Sequence, residues 1–321
     1  MGFDKADHWV WDMWFADDGD LFHMFYLHAP RSVGHPDLRH RNARIGHATS
    51  ADLRDWQDHG RIFDAGAPED FDATCTWTGS VIRGDDGLWH LFYTGTRFTD
   101  PADASHHENV ETIGHAVSED LHAWVKRPGP VCTADPRWYE TLGSSSWPEE
   151  AWRDPWVYRD GFGPWNMLIT GRANDGPDDD RGVIALATSD DLHSWQVQPP
   201  LSAPGAGFGH LEVFQIVEVE GHRFLIFSCD TAKLGGARTG ETGGIWAVAE
   251  RDGSWPVAEA SLIVNQDLYA GRVVIDRAGK AQLMGFDNRG GVEFKGGIAD
   301  PRPLTVDTSG ALPRLTLENA A

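Results

Sequence analysis

The 321-residue chain carries 27 Lys and Arg against 49 Asp and Glu, a formal charge of −22. That field repels phosphate backbones and anionic membrane surfaces, so neither nucleic acid nor a membrane is an expected partner, and a neutral or cationic small molecule is favoured. No apolar run is long enough to cross a bilayer and no leader-type N-terminus is visible; with three widely spaced cysteines, Cys75, Cys132 and Cys229, the reading is a cytoplasmic protein with no disulfide framework and no metal site.

In chain order, the first element is a strand, "HWVWDMWF" (8–15), which sets Asp12 among tryptophans. A turn at Gly19 leads to "LFHMFYLH" (21–28), apolar on both faces, and then to "IGHATSADLRDW" (45–56). The same order recurs as "LWHLFYTG" (88–95) with "IGHAVSEDLHAW" (113–124), and as "WNMLITG" (165–171) with "IALATSDDLHSW" (184–195). The last member of each pair reads as a strand, an Asp/Ser turn around S-x-D-L, and a Trp that opens the next strand. Two weaker units follow, "RFLIFSCD" (223–230) with "GGIWAVAE", and "AQLMGFDN" (281–288) with "GGVEFKGGI". Five units, three of them marked by S-x-D-L segments that start 68 and 71 residues apart, and each apolar on both faces of its second strand, predict an all-β, five-bladed β-propeller with four antiparallel strands per blade. Residues 1–321 then form a single domain with no C-terminal β-sandwich; a β-sandwich or β-helix is the alternative.

In a propeller the strand before each hairpin glycine is innermost, and its start lies at one mouth of the channel. Seven positions before Gly19, Gly87 and Gly161 stand Asp12, Ser80 and Asp154, and nine before Gly221 stands Glu212. Odd offsets put these side chains on one face if the hairpins are equivalent. Carboxylates that converge on an acetal carbon suit glycoside cleavage, one protonating the leaving oxygen while another attacks or activates water. Glu212, between Leu211 and Val213-Phe214, is expected to have a raised pKa and to serve as acid/base. Asp154, beside Arg153, is expected to stay ionised and to stabilise positive charge at the transition state. Asp12 is left as nucleophile, with Trp11 and Trp14 offering flat faces to a sugar. No cofactor is needed for this chemistry.

The ordered set "VWDMW", "TWTGS", "WRDP", "LEVFQ" and "DLYA" resembles the five-bladed furanosidases of glycoside hydrolase families 32 and 68. Asp12 stands where family 32 has the Asp of W-M-N-D-P-N-G, and "VWDMW" is close to the V-W-D-S-W of family 68. The resemblance implies Asp12 as nucleophile, Asp154 of R-D-P as transition-state stabiliser and Glu212 as acid/base. It also implies sugar contacts from Trp77 and Ser80 of "TWTGS", from Arg153 and from Tyr269 of "DLYA"; His210, turned away from Leu211 by strand alternation, is either a further contact or a structural histidine. The chain departs from the family at Met13-Trp14-Phe15, in place of Pro-Asn-Gly, and at Val213-Phe214, in place of Cys-Pro. The expected activity is retaining cleavage or transfer of a β-fructofuranosyl unit.

Simpler roles compete at several positions. Trp9, Trp11 and Trp14 can be core residues, which is the commoner fate of aromatics. His47 and His115, repeated in "IGHA", read as structural. Arg272 is either a substrate contact or a blade-edge salt bridge, and the acidic run 175–182 reads as a solvated loop rather than a calcium loop. An inverting arabinofuranosidase and a non-catalytic sugar-binding propeller are the alternative functions. Nothing in the sequence fixes the oligomeric state.

Overall fold

The computed structural model describes residues 2–103, 105–289 and 294–318. Each repeat unit forms one antiparallel sheet. Blade I contains β1 (His8–Asp17), β2 (Phe22–Pro30), β3 (Arg44–Ser50) and β4 (Gln57–Arg61). Blade II contains β5 (Cys75–Arg83), β6 (Trp89–Phe98), β7 (Asn109–Ser118) and β8 (Val125–Lys126), with β9 (Glu149–Glu150) pairing parallel to β7. Blade III is β10 (Trp152–Arg159), β11 (Trp165–Arg172), β12 (Gly182–Ser189) and β13 (Gln196–Gln198). Blade IV is β14 (Glu212–Val219), β15 (His222–Cys229), β16 (Gly244–Ala249) and β17 (Ser261–Asn265). Blade V is β18 (Leu268–Ile275), β19 (Ala281–Asp287), β20 (Arg302–Asp307) and β21 (Arg314–Leu317).

The first strands surround the axis: β1 touches β5, β5 touches β10, β10 touches β14, β14 touches β18, and β18 returns to β1. The second strands, apolar on both faces, are buried almost throughout because each sheet is covered by its neighbours. Apolar clusters fill the seams between adjacent blades, Trp14, Phe25 and Tyr93 in one and Phe208, Phe227 and Trp246 in another. In the sheets described, every blade takes its strands from one continuous stretch of chain. The seam between first and last blades is closed by the ion pair Arg277–Asp17 and by Gly297 N–H donating to Val10 O.

The sequence repeat is a turn with the same bonds three times. Asp52, Asp120 and Asp191 each accept from the two backbone N–H groups that follow at +2 and +3, and from the hydroxyl of Ser50, Ser118 or Ser189. Leu53, Leu121 and Leu192 take φ of 65°, 65° and 64°, and each carbonyl accepts from the indole N–H of Trp56, Trp124 or Trp195. A short side chain ending in an acceptor oxygen is needed to reach both N–H groups at once, and in all three turns a single Asp Oδ1 takes both.

Blade V differs from expectation. Its third strand is β20, beyond the stretch "GGVEFKGGI" at 290–298; residues 290–293 of that stretch lie outside those described, and Ile298 makes only isolated bridges to Phe3 and Phe286. Arg272 makes no salt bridge among the described residues. Its guanidinium is buried in the channel, where it donates to the carbonyls of Met13, Gly79, Val213 and Phe214, tying blades I, II and IV to blade V. The acidic run is anchored rather than solvated at Asp180, which accepts from Gly207 N–H at 2.6 Å and Phe208 N–H at 2.9 Å.

Asp191→Ala removes an acceptor for two backbone N–H groups and one hydroxyl in an exposed turn. It is expected to lower stability by about 1 kcal/mol, read as a lower urea midpoint with an unchanged slope.

Candidate active site

A cavity of about 320 Å³ opens at one mouth of the channel. It is built from irregular backbone. In each first strand the pairing with the second slips near the mouth: between Trp11 and Met13, Trp77 and Gly79, Arg153 and Trp156, Glu212 and Gln215, and Tyr269 and Arg272. A regular strand turns successive side chains to opposite faces. The bulges break that rule, so consecutive residues line the cavity together: Trp11 with Asp12, Trp77 with Thr78, Arg153 with Asp154, and Glu212 with Val213. Asp12, Asp154, Val213 and Ala270 pay for the distortion with φ of 24°, 56°, 58° and 51°, a region that non-glycine residues rarely adopt. Gly79 is required for closeness instead, since a Cβ there would lie 2.1 Å from Phe92 O.

Arg153 is the hub. Its Nη1 donates to Glu111 at 2.9 Å and Glu149 at 3.2 Å, its Nη2 to Glu212 at 2.9 Å, and its Nε lies 3.7 Å from Asp154. Nη2 is also 3.2 Å from His210 Nδ1. Burial works against the guanidinium, but the four carboxylates outweigh it and hold its pKa well above the ordinary value. Tyr269 donates to Glu212 at 2.6 Å, and His210 Nε2 lies 3.2 Å from the same carboxylate. Asp12 accepts from the Thr78 hydroxyl, and Asp154 from Thr170 at 3.1 Å. One wall is aromatic: Trp11 stacks on His40 with ring centres 6.1 Å apart, and Trp77 donates its indole N–H to His40 O at 2.8 Å. His40 and Arg39 come from a 3-10 turn, Pro36–Arg41, inserted between β2 and β3.

The protonation pattern reverses the expectation for two residues. Burial would raise Glu212, but His210, Arg153 and the Tyr269 hydroxyl outweigh it and hold the carboxylate down at about 2. Leu211 and Phe214, its apolar neighbours in sequence, are buried in the core rather than packed around the carboxylate. Asp154 is pushed up to about 7, chiefly by burial, with the Glu212 and Asp12 charges adding to it against Arg153. Burial likewise raises Asp12 to about 6 despite the Thr78 bond, and raises Glu111 to about 8. In the free site near neutral pH the bound protons therefore reside on Asp154 and Glu111, while Asp12 and Glu212 are ionised.

Of the sequence-predicted residues, Trp11, Asp12, Trp77, Arg153, Asp154, His210, Glu212 and Tyr269 meet in this cavity. Ser80 and Trp14 do not. Asp12, Thr78 and Asp154 each stand five residues before the last paired residue of their hairpin, Asp17, Arg83 and Arg159. Gly87 comes two places later in its loop than Gly19 and Gly161 do in theirs, so counting back from it lands on Ser80, deeper in the channel. There its hydroxyl accepts from Val157 N–H at 3.1 Å. Trp14 is fully buried against Phe25.

Sequence reasoning missed Arg39, His40, Thr78, Glu111, Glu149, Asp230, Lys233 and Asn288, all in the cavity wall. For Glu111 a signal existed: two residues before the repeated Ile45, Ile113 and Ile184 stand Ala43, Glu111 and Gly182, a charge where its counterparts are small.

Five four-stranded blades about one axis, with a carboxylate-lined, sugar-sized cavity at its mouth, define a propeller of the carbohydrate-active class. The chain belongs to glycosyl hydrolases family 32, whose N-terminal domain model matches residues 13–296, beginning one residue after Asp12. It is 27% identical over 189 residues to a fructan 6-exohydrolase of Triticum aestivum, a match covering 56% of this chain and 28% of the wheat protein. Its fold is similar to that of the inulosucrase from Halalkalicoccus jeotgali bound to kestose (TM-score 0.73, 21% identity, 97% of this chain and 87% of that one). It is also similar to the Bombyx mori β-fructofuranosidase (TM-score 0.73, 20% identity, 99% and 64%) and to Bacillus subtilis levansucrase (TM-score 0.71, 14% identity, 98% and 88%).

Burying Asp154 as an anion has a cost. Its folded pKa of about 7 lies above the ordinary 3.8, so between those values the unfolded chain releases a proton that the folded chain keeps, and stability falls as pH rises through that window. Asp154→Asn is expected to raise the melting temperature, by more at pH 8 than at pH 5.

Proposed function

We propose that residues 1–321 act as one catalytic propeller that cleaves or transfers a β-fructofuranosyl unit by double displacement with retention. The observation that carries this is the convergence of Asp12, Asp154 and Glu212, from three blades, in one half-enclosed cavity around Arg153. Family membership supports the furanoside. The wheat, archaeal and insect proteins to which the chain is similar are a fructan exohydrolase, an inulosucrase and a β-fructofuranosidase.

In this reading Asp12 attacks the anomeric carbon, oriented by the Thr78 hydroxyl. Asp154 accepts bonds from two ring hydroxyls and faces the developing positive charge. Glu212 protonates the leaving oxygen and later removes a proton from the incoming water or sugar hydroxyl. Glu212 is ionised in the free site, so it must gain its proton in the complex, and the proton held by Asp154 near neutral pH can supply it: a bound sugar expels the water that screens these carboxylates, and ring hydroxyls donating to Asp154 favour its anion. Tyr269, which donates to Glu212, holds it in place for that exchange, with His210 Nε2 3.2 Å from the same carboxylate. Trp11, His40 and Trp77 give the ring an apolar wall. The three buried, unpaired cysteines suit a reducing compartment, in keeping with a small intracellular saccharide as substrate.

The roles separate by leaving group. Asp12→Asn is expected to abolish sugar release from sucrose, kestose and activated aryl or fluoride substrates alike. Glu212→Gln should cost about 10²–10⁴ in kcat on sucrose and far less on a fluoride, whose departure needs no proton. Equal losses on both substrates would remove Glu212 from the acid role. The anomer of the methyl fructoside formed in aqueous methanol reads the stereochemistry, and an inverted product, or none with sugar binding intact, would overturn the retaining reading.

An attacking carboxylate must be ionised, and burial sets Asp12 at about 6, so kcat/KM should fall as pH drops below that value. Thr78→Val removes the bond that favours the anion. The acidic limb of its pH profile is expected to move to higher pH while the basic limb stays in place.

A further inference from the structure

A second cluster of functional side chains lies away from this cavity, at the seam of blades I and II. His47 is on β3, His59 on β4, and His122 in the turn between β7 and β8. Their ring centres are 5.0 Å apart for His47–His59, 4.8 Å for His47–His122 and 5.1 Å for His59–His122. One ring nitrogen from each lies within 4.8 Å of the other two. With metal–nitrogen bonds of about 2.0–2.1 Å, imidazoles sharing one tetrahedral ion have ring centres about 5 Å apart. The ring centres already have that spacing, and rotation of the exposed His59 and His122 rings would draw the nitrogens, now within 4.8 Å of one another, onto one ion.

The hydrogen bonds around the cluster leave a lone pair available. Asp18 Oδ2 lies 3.2 Å from His23 Nε2, and His23 Nδ1 lies 2.9 Å from His47 Nε2. The carboxylate keeps the His23 proton on Nε2, so His23 Nδ1 accepts and His47 donates from Nε2. The Nδ1 of His47 is then unprotonated. Thr49 Oγ1, 2.8 Å from His59 Nε2, can accept that ring's proton in the same way and free its Nδ1. A metal-ligating histidine has this arrangement, with its second nitrogen held by an acceptor. His59 and His122 are exposed, which gives an ion a path to the buried His47.

Blade II supplies an internal comparison. Asp86, His90 and His115 repeat the relay, with contacts of 3.1 Å and 3.0 Å, and His193 of blade III stands over it as His122 stands over blade I. Three residues after Trp124, where His59 follows Trp56, the chain has Arg127. The relay by itself is thus a packing device common to both blades. Only blade I adds a third imidazole, and blade II puts a cation at that position.

We propose that His47, His59 and His122 bind a divalent transition-metal ion of the zinc class, with solvent as the fourth ligand, and that the ion clamps blade I to blade II. Tag-free protein stripped with chelator and titrated calorimetrically with zinc chloride should take up one equivalent at this site, with a rise in melting temperature. His59→Ala and His122→Ala change exposed side chains outside the proposed active site. Each is expected to weaken that uptake about 10–100-fold and to lose the thermal shift. The zinc X-ray absorption spectrum of the loaded parent should fit three imidazole nitrogens. No saturable uptake by the parent, or uptake and thermal shift unchanged in both variants, overturns the proposal.

Discussion

The guanidinium of Arg153 is the charge on which the site depends. Four carboxylates from three blades lie within 4 Å of it: Glu111 and Glu149 of blade II, Asp154 of blade III and Glu212 of blade IV. Burying so many anions in one small cavity would be prohibitive without a cation among them, and one cation cannot neutralise all of them. The result is a site that holds protons near neutral pH on Asp154 and Glu111 while Asp12 and Glu212 are ionised. A substrate that excludes water or bonds one carboxylate must redistribute those protons. That sensitivity is what acid/base chemistry requires of its site.

The backbone makes the cluster possible. Regular strands would send Arg153 and Asp154, or Trp11 and Asp12, to opposite faces of their blades. A bulge at the same level in every first strand turns both into the cavity, and Arg272, bonded to carbonyls of three other blades just beside the bulges, fixes the channel beneath them. The outer turns also use φ-positive residues, Leu53, Leu121 and Leu192, but there the same Asp/Ser and Trp–Leu bonds recur.

Repetition and departure from it carry different information. What recurs, the S-x-D-L turns and the paired histidines, builds the blades. What breaks the repeat marks the chemistry: Glu111 where the other units have Ala43 and Gly182, and His59 where blade II has Arg127.

The sequence by itself determined the blade count, because a both-faces-apolar second strand is a local pattern that each unit must carry to be covered by its neighbours, and an S-x-D-L turn marks three of the five. It also brought Asp12, Arg153, Asp154, Glu212 and Tyr269 to one cavity, since they sit in motifs whose order along the chain survives folding. Only the tertiary structure decided that Thr78 rather than Ser80 faces Asp12, because hairpin loops of unlike length shift the count, and that Trp14 is core. It alone decided the charges. The residues that set the pKa of Glu212 are His210, Arg153 and Tyr269, two of them more than 50 positions away in the chain, whereas its apolar sequence neighbours Leu211 and Phe214 belong to the core. Strand order is written in the sequence; proximity across the axis of a closed ring is not, because closure brings together residues that no local pattern links.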